Sequence, residues 1–589
     1  MMTLRNLLSL CLLVGLFQIT TAQNKLTDYI PKDASFVVKL DLNNLSSKVT
    51  MNDLKKYDFY SMGMMMLSGM MGDEGPVFMN VLEDPTTVGL DLMSPVYLFG
   101  KMEDEKNVKI GLAFHLSDET TLPDLLKSSE PEKFAGADQI GGFRHISLDD
   151  DLHFAWKNRF AIFSGGTFEQ DVNWEDPEAV EEYLRMKSEK SRNWTESLLN
   201  LSADHAISSL NRFRLAEAKP ADLALWFDYS LYSKTFQKAF SEEFDHTNTG
   251  GFDPQMLISF LKVFYNDSYL FARLNFDKGR IAIQTDNFAN PGMLAVYKQS
   301  LNGDFNKKIA RYIRGEELLG YMSFSMNTKG MVDAYKTLIY NELNKMPAYG
   351  ELVTGALDIL GIFFKEEAIA GLFEGDAVVA MTGMQHVKQT VTEYEYDEDF
   401  NATEVQREVE KDIPEFSVIW THQSKNDWMK FVRLGMKSGL LQSAGNYYAL
   451  QPPGGQKMEL FVALKDDLLI MTNSQDLAKK RLKKGYKRKS RIAKSHCENM
   501  SQNAFTLFWD IPNTISVVAR ESKVSGMDDF ANMGKQSFES LTMKTSRNVG
   551  ASVSSELSLN FAEKNRNGLL QVLDLVNEIF LQAFGGSKS

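Results

Sequence analysis

Strand-like and helix-like stretches in this chain follow one order and then follow it again, and that recurrence restricts the fold more than any single motif. Residues 35–42 (SFVVKLDL) alternate apolar and polar as a half-buried strand does. Pro31-Lys32-Asp33 opens a turn before them, and Asn43-Asn44 can cap a helix expected over 45–67. Strands are expected at 94–101 and 108–116, joined by a charged turn, and a short helix at 122–128. Three more strands follow at 143–148, 152–157 and 159–164, the last two meeting at a Lys157-Asn158 turn. A polar helical region spans 177–215, then a strand 222–229 and helices at 231–240 and 254–264. The round closes with a hairpin, 269–275 and 280–286, about Asp277-Lys278-Gly279.

The second round begins at 320–326 (GYMSFSM), which answers the first strand, with 329–346 answering its helix. Residues 375–383 and 416–422 answer the next two strands, and 425–438 is again a helix. The pair 458–464 and 467–472 turns at Lys465-Asp466, where the first round has Lys157-Asn158. Residues 504–510 (AFTLFWD) answer 223–228 (LALWFD), 550–561 answer the closing hairpin, and 569–584 form a final amphipathic helix. Partner positions are offset by 281 (Ser94, Gly375), 308 (Ala155, Ala463) and 282 (Asp228, Asp510). Chance matching rarely preserves such an order. The expected fold is therefore α+β: two tandem homologous halves, 23–305 and 306–589, each a mainly antiparallel sheet with helices on one face. An acidic hairpin insertion near 388–414 belongs to the second half alone.

A chain of 589 residues exceeds one core. A formal charge of −14 argues against nucleic acid as the main partner, since phosphate binding needs a basic surface. Residues 1–22 read as a cleaved signal peptide, with Arg5, an apolar stretch over 7–17 and small residues at Thr20-Thr21-Ala22. That stretch is too short to span a bilayer, and no later run of apolar residues reaches the length of a transmembrane helix. Cys11 falls inside the signal with Leu10 before it, where a lipid-anchor signal wants a small residue. Cys497 is then the only cysteine of the mature chain, so no intrachain disulfide forms. Export without disulfides fits a periplasmic or envelope-associated bacterial protein better than a secreted animal one.

The opening of the mature chain carries a resemblance. Ile30-Pro31, Asp33-Ala34, the alternating strand through Val37-Val38, then Asp41, Leu45 and Lys48 resemble the start of a family of exported Bacteroidetes proteins of unknown function. Gly375-Asp376 in the second half is similar to that family too. The resemblance implies a large two-half envelope protein over most of the mature chain. It carries over no catalytic residue. Members often have a lipid-anchor cysteine, from which this chain departs.

Two stretches stand out as partner contacts. Residues 62–71 hold Met62, Met64, Met65, Met66, Met70 and Met71. Clustered thioethers fill cores, offer an adaptable binding surface or take Cu(I). Residues 479–494 hold ten basic side chains, among them Lys483, Lys484, Lys487 and Arg488, and no acidic one. They suit anionic lipid headgroups, an anionic glycan, or the chain's own acidic segment, which runs from Glu393 to Asp412 with Asn401 near its tip. His496-Cys497 follows directly; nearby cations lower a thiol's pKa, but a lone cysteine is more often a buried small hydrophobe. Residues 245–256 echo a calcium loop but place Met256 where the bidentate Glu belongs. No HExxH, GxSxG, GxxxxGK[ST], GxGxxG or CxxC is present, and no cofactor or metal site is implied. The function expected is a non-enzymatic binding or scaffold module whose partner is another envelope protein, an anionic glycan or a lipid headgroup. The rivals are a carboxylate-dependent hydrolase of an envelope polymer and a carrier lined by methionines and aromatics such as Trp226, Phe227, Phe363 and Phe364.

Overall fold

The computed structural model describes residues 25–71, 87, 89–104, 106–170, 172–231, 262–343, 355, 371–396, 402–451, 459–521 and 527–584. The chain divides into two compact units. One takes the chain as far as Asn43 and the stretch that ends at Pro220; the other takes Asn44–Gly75 and the chain from Ala221 onward.

The first unit holds β1 (Phe36–Leu40), β2 (Val96–Met102), β3 (Asn107–His115), β4 (Asp138–Ile140), β5 (Phe143–Asp149), β6 (Leu152–Lys157) and β7 (Phe160–Phe168). Their order is β1-β2-β3-β7-β6-β5-β4, and every neighbouring pair is antiparallel. β6 turns into β7 at Asn158, whose φ of 51° is a left-handed conformation that asparagine tolerates. One sheet face buries Phe114, Ile146, Phe154 and Trp156 against Leu116 and Leu122. The helix Pro177–Leu199 starts on Asp176, whose carboxylate accepts from the Glu178 and Ala179 backbone, with Pro177 in the first position. Its buried residues Ser191, Trp194, Thr195 and Leu198 recur every three or four residues, as one helix face requires. Trp194 Nε1 donates to the Ile110 carbonyl at 3.0 Å, which fastens that face to β3.

The second unit holds β8 (Leu223–Asp228), β9 (Tyr269–Asp277), β10 (Arg280–Phe288), β11 (Leu318–Ser325), β12 (Asp376–Tyr396), β13 (Ala402–Thr421), β14 (Leu441–Ser443), β15 (Tyr448–Leu450), β16 (Leu460–Lys465), β17 (Leu468–Thr472), β18 (Asn503–Asp510), β19 (Phe538–Ser546) and β20 (Val553–Phe561). They form one antiparallel sheet in the order β8-β9-β10-β20-β19-β18-β11-β12-β13-β17-β16-β15-β14. The run from β11 to β14 has the same connectivity as β1 to β4 in the first unit. Its core joins Tyr321, Val378, Ile419 and Ile470 from the strands to Ile309, Leu477, Leu482, Tyr486 and Ile492 from the segments lying over them. Burying each of these contributes roughly 1.5–3 kcal/mol.

β12 and β13 pair without interruption of partner from Ala377–Trp420 to Tyr396–Ala402, with a bulge between Met381 and Met384. Gly383 in that bulge has φ 77°. Past the bulge neither strand has another neighbour among the described residues, so the acidic stretch is a two-stranded ribbon continuous with the sheet. Its expected tip at Asn401 lies outside the described residues.

Several boundaries differ from expectation. The helix expected over 45–67 is broken into Leu42–Ser46, Met51–Leu54 and Asp58–Met71. Thr50 restarts it: its hydroxyl accepts from Asp53 N while Asp53 accepts from Thr50 N, a reciprocal cap. The hairpin expected within 550–561 is instead β19 with β20, because β19 (FESLTMKTS) carries too few apolar residues to announce itself. β4, β14 and β15 are three residues each, below the length at which alternation can be read. The helices expected at 231–240 and 254–264 lie almost wholly outside the described residues.

Candidate functional site

The basic run is a strap held by apolar anchors. After β17 the chain makes a π-helical turn, Asp476–Arg481, and then crosses to a 3₁₀ turn, Arg488–Ser490. Leu477, Leu482, Tyr486 and Ile492 are 0–5% exposed and sink into the core of the second unit. Gly485 has φ 70°, and a Cβ there would stand 2.7 Å from the Arg311 carbonyl oxygen. Tyr486 N donates to that same oxygen at 2.9 Å, and Ile492 N to the Ile313 carbonyl at 3.2 Å. With the apolar residues of the strap turned inward, its cations face solvent.

Some of those cations are paired at the surface: Lys479 with Glu459 (3.6 Å), Arg481 with Asp476 (3.2 Å) and Lys494 with Glu498 (3.2 Å). Lys483, Lys484, Lys487, Arg488 and Lys489 are exposed and make no ion pair with any described residue. Among the described residues no ion pair joins the run to the chain's own acidic stretch: the strap's pairs go to local carboxylates, while the ribbon pairs Glu395 with Arg407 and Asp412 with His386 within itself. Exposed pairs contribute about 0–1 kcal/mol each. The core anchors, not the charges, set the strap's path.

Lys483 also lines a cavity of about 470 Å³ together with Lys425, Lys465, Asn446, Tyr448 and Met429. Lys425 is the first residue of the helix Lys425–Lys437, which Ser424 caps by accepting from Asp427 N. Lys465 ends β16 and pairs at 3.1 Å with Asp466, the left-handed residue of the hairpin turn (φ 56°). No carboxylate is among the described residues lining the cavity. Lys425 and Lys465 lie far from the basic run in sequence. Their only sequence signals are a helix start and a tight turn.

The methionine stretch is divided by its helix, Asp58–Met71. Met64 is buried, while Met62, Met65 and Met66 are 37%, 73% and 59% exposed. The Met70 and Met71 side chains lie outside the described residues. Trp226 is packed in the second unit, stacked on Tyr269 with ring centroids 4.8 Å apart; Phe363 and Phe364 lie outside the described residues, as does the calcium-like loop. Cys497 is half-buried against the core, as a small hydrophobe would be, and burial pushes its thiol up, the strap's cations notwithstanding.

Sequence reading did not locate two polar clusters. In the second unit a cavity of about 600 Å³ is lined by Asp304, Glu374, Asp376 and Asp467. Asp376 accepts from Ser325 Oγ at 2.5 Å and from Asn306 N at 2.6 Å. Burial pushes its carboxyl up against those two donors. Asn306 Nδ2 donates to Asp467, which also pairs with Lys308 at 2.9 Å. Burial pushes Asp467 up as well, but these partners outweigh it and hold the group below the usual carboxylate range. Asp376, with both oxygens taken by fixed donors, is a structural clasp and a poor proton carrier, whereas both donors to Asp467 reach its Oδ2 and leave its buried Oδ1 without a partner among the described residues. In the first unit Asp138 accepts from His145 Nδ1 at 2.6 Å, and His145 Nε2 meets His153 Nδ1 at 3.0 Å. Both rings are 2% exposed. Among the described residues no group of three or more His, Cys, Asp or Glu is placed to hold a metal ion, and no helix is long and apolar enough to cross a membrane.

A family model described as a domain of unknown function, DUF4836, matches residues 26–567. No curated protein and no solved structure matches the chain.

Proposed function

The chain belongs to the DUF4836 family of unknown function, and we propose for it the role of an exported, non-enzymatic binding module of the cell envelope that engages an anionic lipid surface. The observation that carries this reading is the strap. Five exposed cations, Lys483, Lys484, Lys487, Arg488 and Lys489, stand without ion-pair partners among the described residues on a backbone fixed by buried anchors. They do so in a chain of net charge −14, where acidic partners are plentiful. Leaving them unpaired has a use if the counter-charge comes from outside. Each Lys or Arg near an anionic bilayer contributes about 1 kcal/mol, an attraction that falls off within a Debye length.

The test is sedimentation with vesicles. Vesicles of phosphatidylglycerol and phosphatidylcholine should bring the protein down, pure phosphatidylcholine should not, and binding should weaken as salt rises. The triple variant Lys483→Glu, Lys484→Glu, Arg488→Glu should lose binding at unchanged melting temperature. Binding that persists in that variant, or that ignores salt, defeats the proposal.

Two tandem halves, 23–305 and 306–589, with the acidic ribbon as an insertion in the second, belong to the same reading. It is supported by the shared connectivity of β1-β2-β3-β7-β6-β5-β4 and β11-β12-β13-β17-β16-β15-β14. The symmetric run β8-β9-β10-β20-β19-β18 supports it further.

A further inference from the structure

Resting on the reading that the strap meets an anionic surface, we propose that the cavity lined by Lys425, Lys465 and Lys483 is a binding site for a phosphomonoester group. The three ammonium groups come from three separate elements: the start of a helix, the end of β16 and the strap itself. Lys425 and Lys483 have no ion-pair partner among the described residues, and Lys465 has only the exposed neighbour Asp466. Like charges gathered on one cavity, with no carboxylate among the described residues of its wall, repel one another, and a bound anion removes that cost.

The kind of anion follows from the donors. An ammonium is a compact point charge with three donors, whereas a planar carboxylate is matched by the fork of an arginine, and no arginine is among the described residues lining the cavity. Three such charges carried on three separate elements suit a tetrahedral group with several oxygens. A phosphomonoester carries about −1.5 to −2 at neutral pH, close to what three lysines can neutralise. The volume, about 470 Å³, exceeds what a phosphate alone fills. Asn446, Tyr448 and Met429 then face the moiety that bears the phosphate, with one amide, one hydroxyl and one apolar contact.

Calorimetric titration of the full-length protein with glycerol 3-phosphate tests this, with glycerol and glycerate as controls. Saturable binding of glycerol 3-phosphate is expected, with neither control binding. Lys425→Gln and Lys465→Gln should each weaken it about tenfold or more. Lys487→Glu with Lys489→Glu should leave it unchanged while reducing vesicle binding. No saturable binding, or affinity untouched in both glutamine variants, overturns the site and leaves the strap reading intact. Vesicle binding unmoved by the strap variants, with glycerol 3-phosphate binding lost in Lys425→Gln, overturns the strap reading and leaves the site. The source of the phosphate is read from vesicles at matched charge. A preference for phosphatidic acid over phosphatidylglycerol that disappears in Lys425→Gln identifies a lipid headgroup. Equal binding to both, with glycerol 3-phosphate still bound, identifies a soluble ligand.

Discussion

At the scale of residues, the clearest physical commitments are buried charges and the groups that hold them. His153 has an ordinary pKa of 6.5 and is pushed down to about 4, first by burial and then by its neighbours His145 and Arg192. Asp138 accepts from His145 Nδ1, and His145 Nε2 lies against His153 Nδ1 at 3.0 Å. The folded chain therefore refuses a proton that the unfolded chain accepts. This contribution is complete above pH 6.5 and is lost as pH falls toward 4, about 3 kcal/mol in all. Urea midpoints at pH 7 and pH 4.5 should converge in His153→Gln relative to the parent. An equal acid loss in both proteins would remove His153 as the cause. A second commitment is Asp222, fully buried, which accepts from Lys48 Nζ at 2.5 Å and from Phe276 N at 2.6 Å. Asp222→Ala leaves the half-buried Lys48 without its counter-charge and the Phe276 N–H without its acceptor, and should cost about 2–4 kcal/mol by denaturant unfolding.

At the scale of elements, what the sequence disclosed and what it concealed divide by mechanism. Strands with clean alternation or apolar runs were legible: β2, β3, β6, β16 and β17 fall within a residue or two of the expected spans. So were both hairpin turns, because Asn158 and Asp466 are residue types that accept positive φ. The division into three short helices after residue 42 was concealed, since a Thr-Asp reciprocal cap in mid-pattern looks like ordinary helix surface. The strap was legible as charge but not as structure. Its anchors Leu477, Leu482 and Tyr486 are spaced by five and four residues, a period that belongs to neither helix nor strand. The lysines it meets were concealed because only the fold brings Lys425 and Lys465 to Lys483. Gly485 is the element's hinge point, and Gly485→Ala must adopt φ near 70° while pressing a methyl against the Arg311 carbonyl. A loss of about 1–3 kcal/mol is expected, together with faster amide exchange at Tyr486 and Ile492. Unchanged exchange at those two amides would show that the strap does not depend on this contact.

At the scale of the whole molecule, the pairing of β10 with β20 makes the tandem reading testable. Arg280 stands opposite Asn560 and Asn287 opposite Val553. If the two strands are counterparts, a fragment of residues 23–305 presents β10 with the edge where β20 belongs. That fragment should unfold cooperatively and form a symmetric dimer through antiparallel β10–β10 pairing. Sedimentation velocity decides: a folded monomer, or an unfolded product, counts against equivalent halves.

The lengths of the outermost strands have a consequence for the protein in a crowded compartment. One end of the first unit's sheet is β4 and one end of the second's is β14, three residues each. A strand that short offers too few free amides to template another chain, so these ends resist growing into fibrils. The ribbon past Gly383 is the opposite case, two long strands with open outer rims. There the side chains rather than the lengths guard against recruitment: Glu395, Glu404 and Arg407 crowd those rims with solvated charge. Neutralising them should turn a dispersed protein into one that self-associates and binds thioflavin, without any change in the folded core.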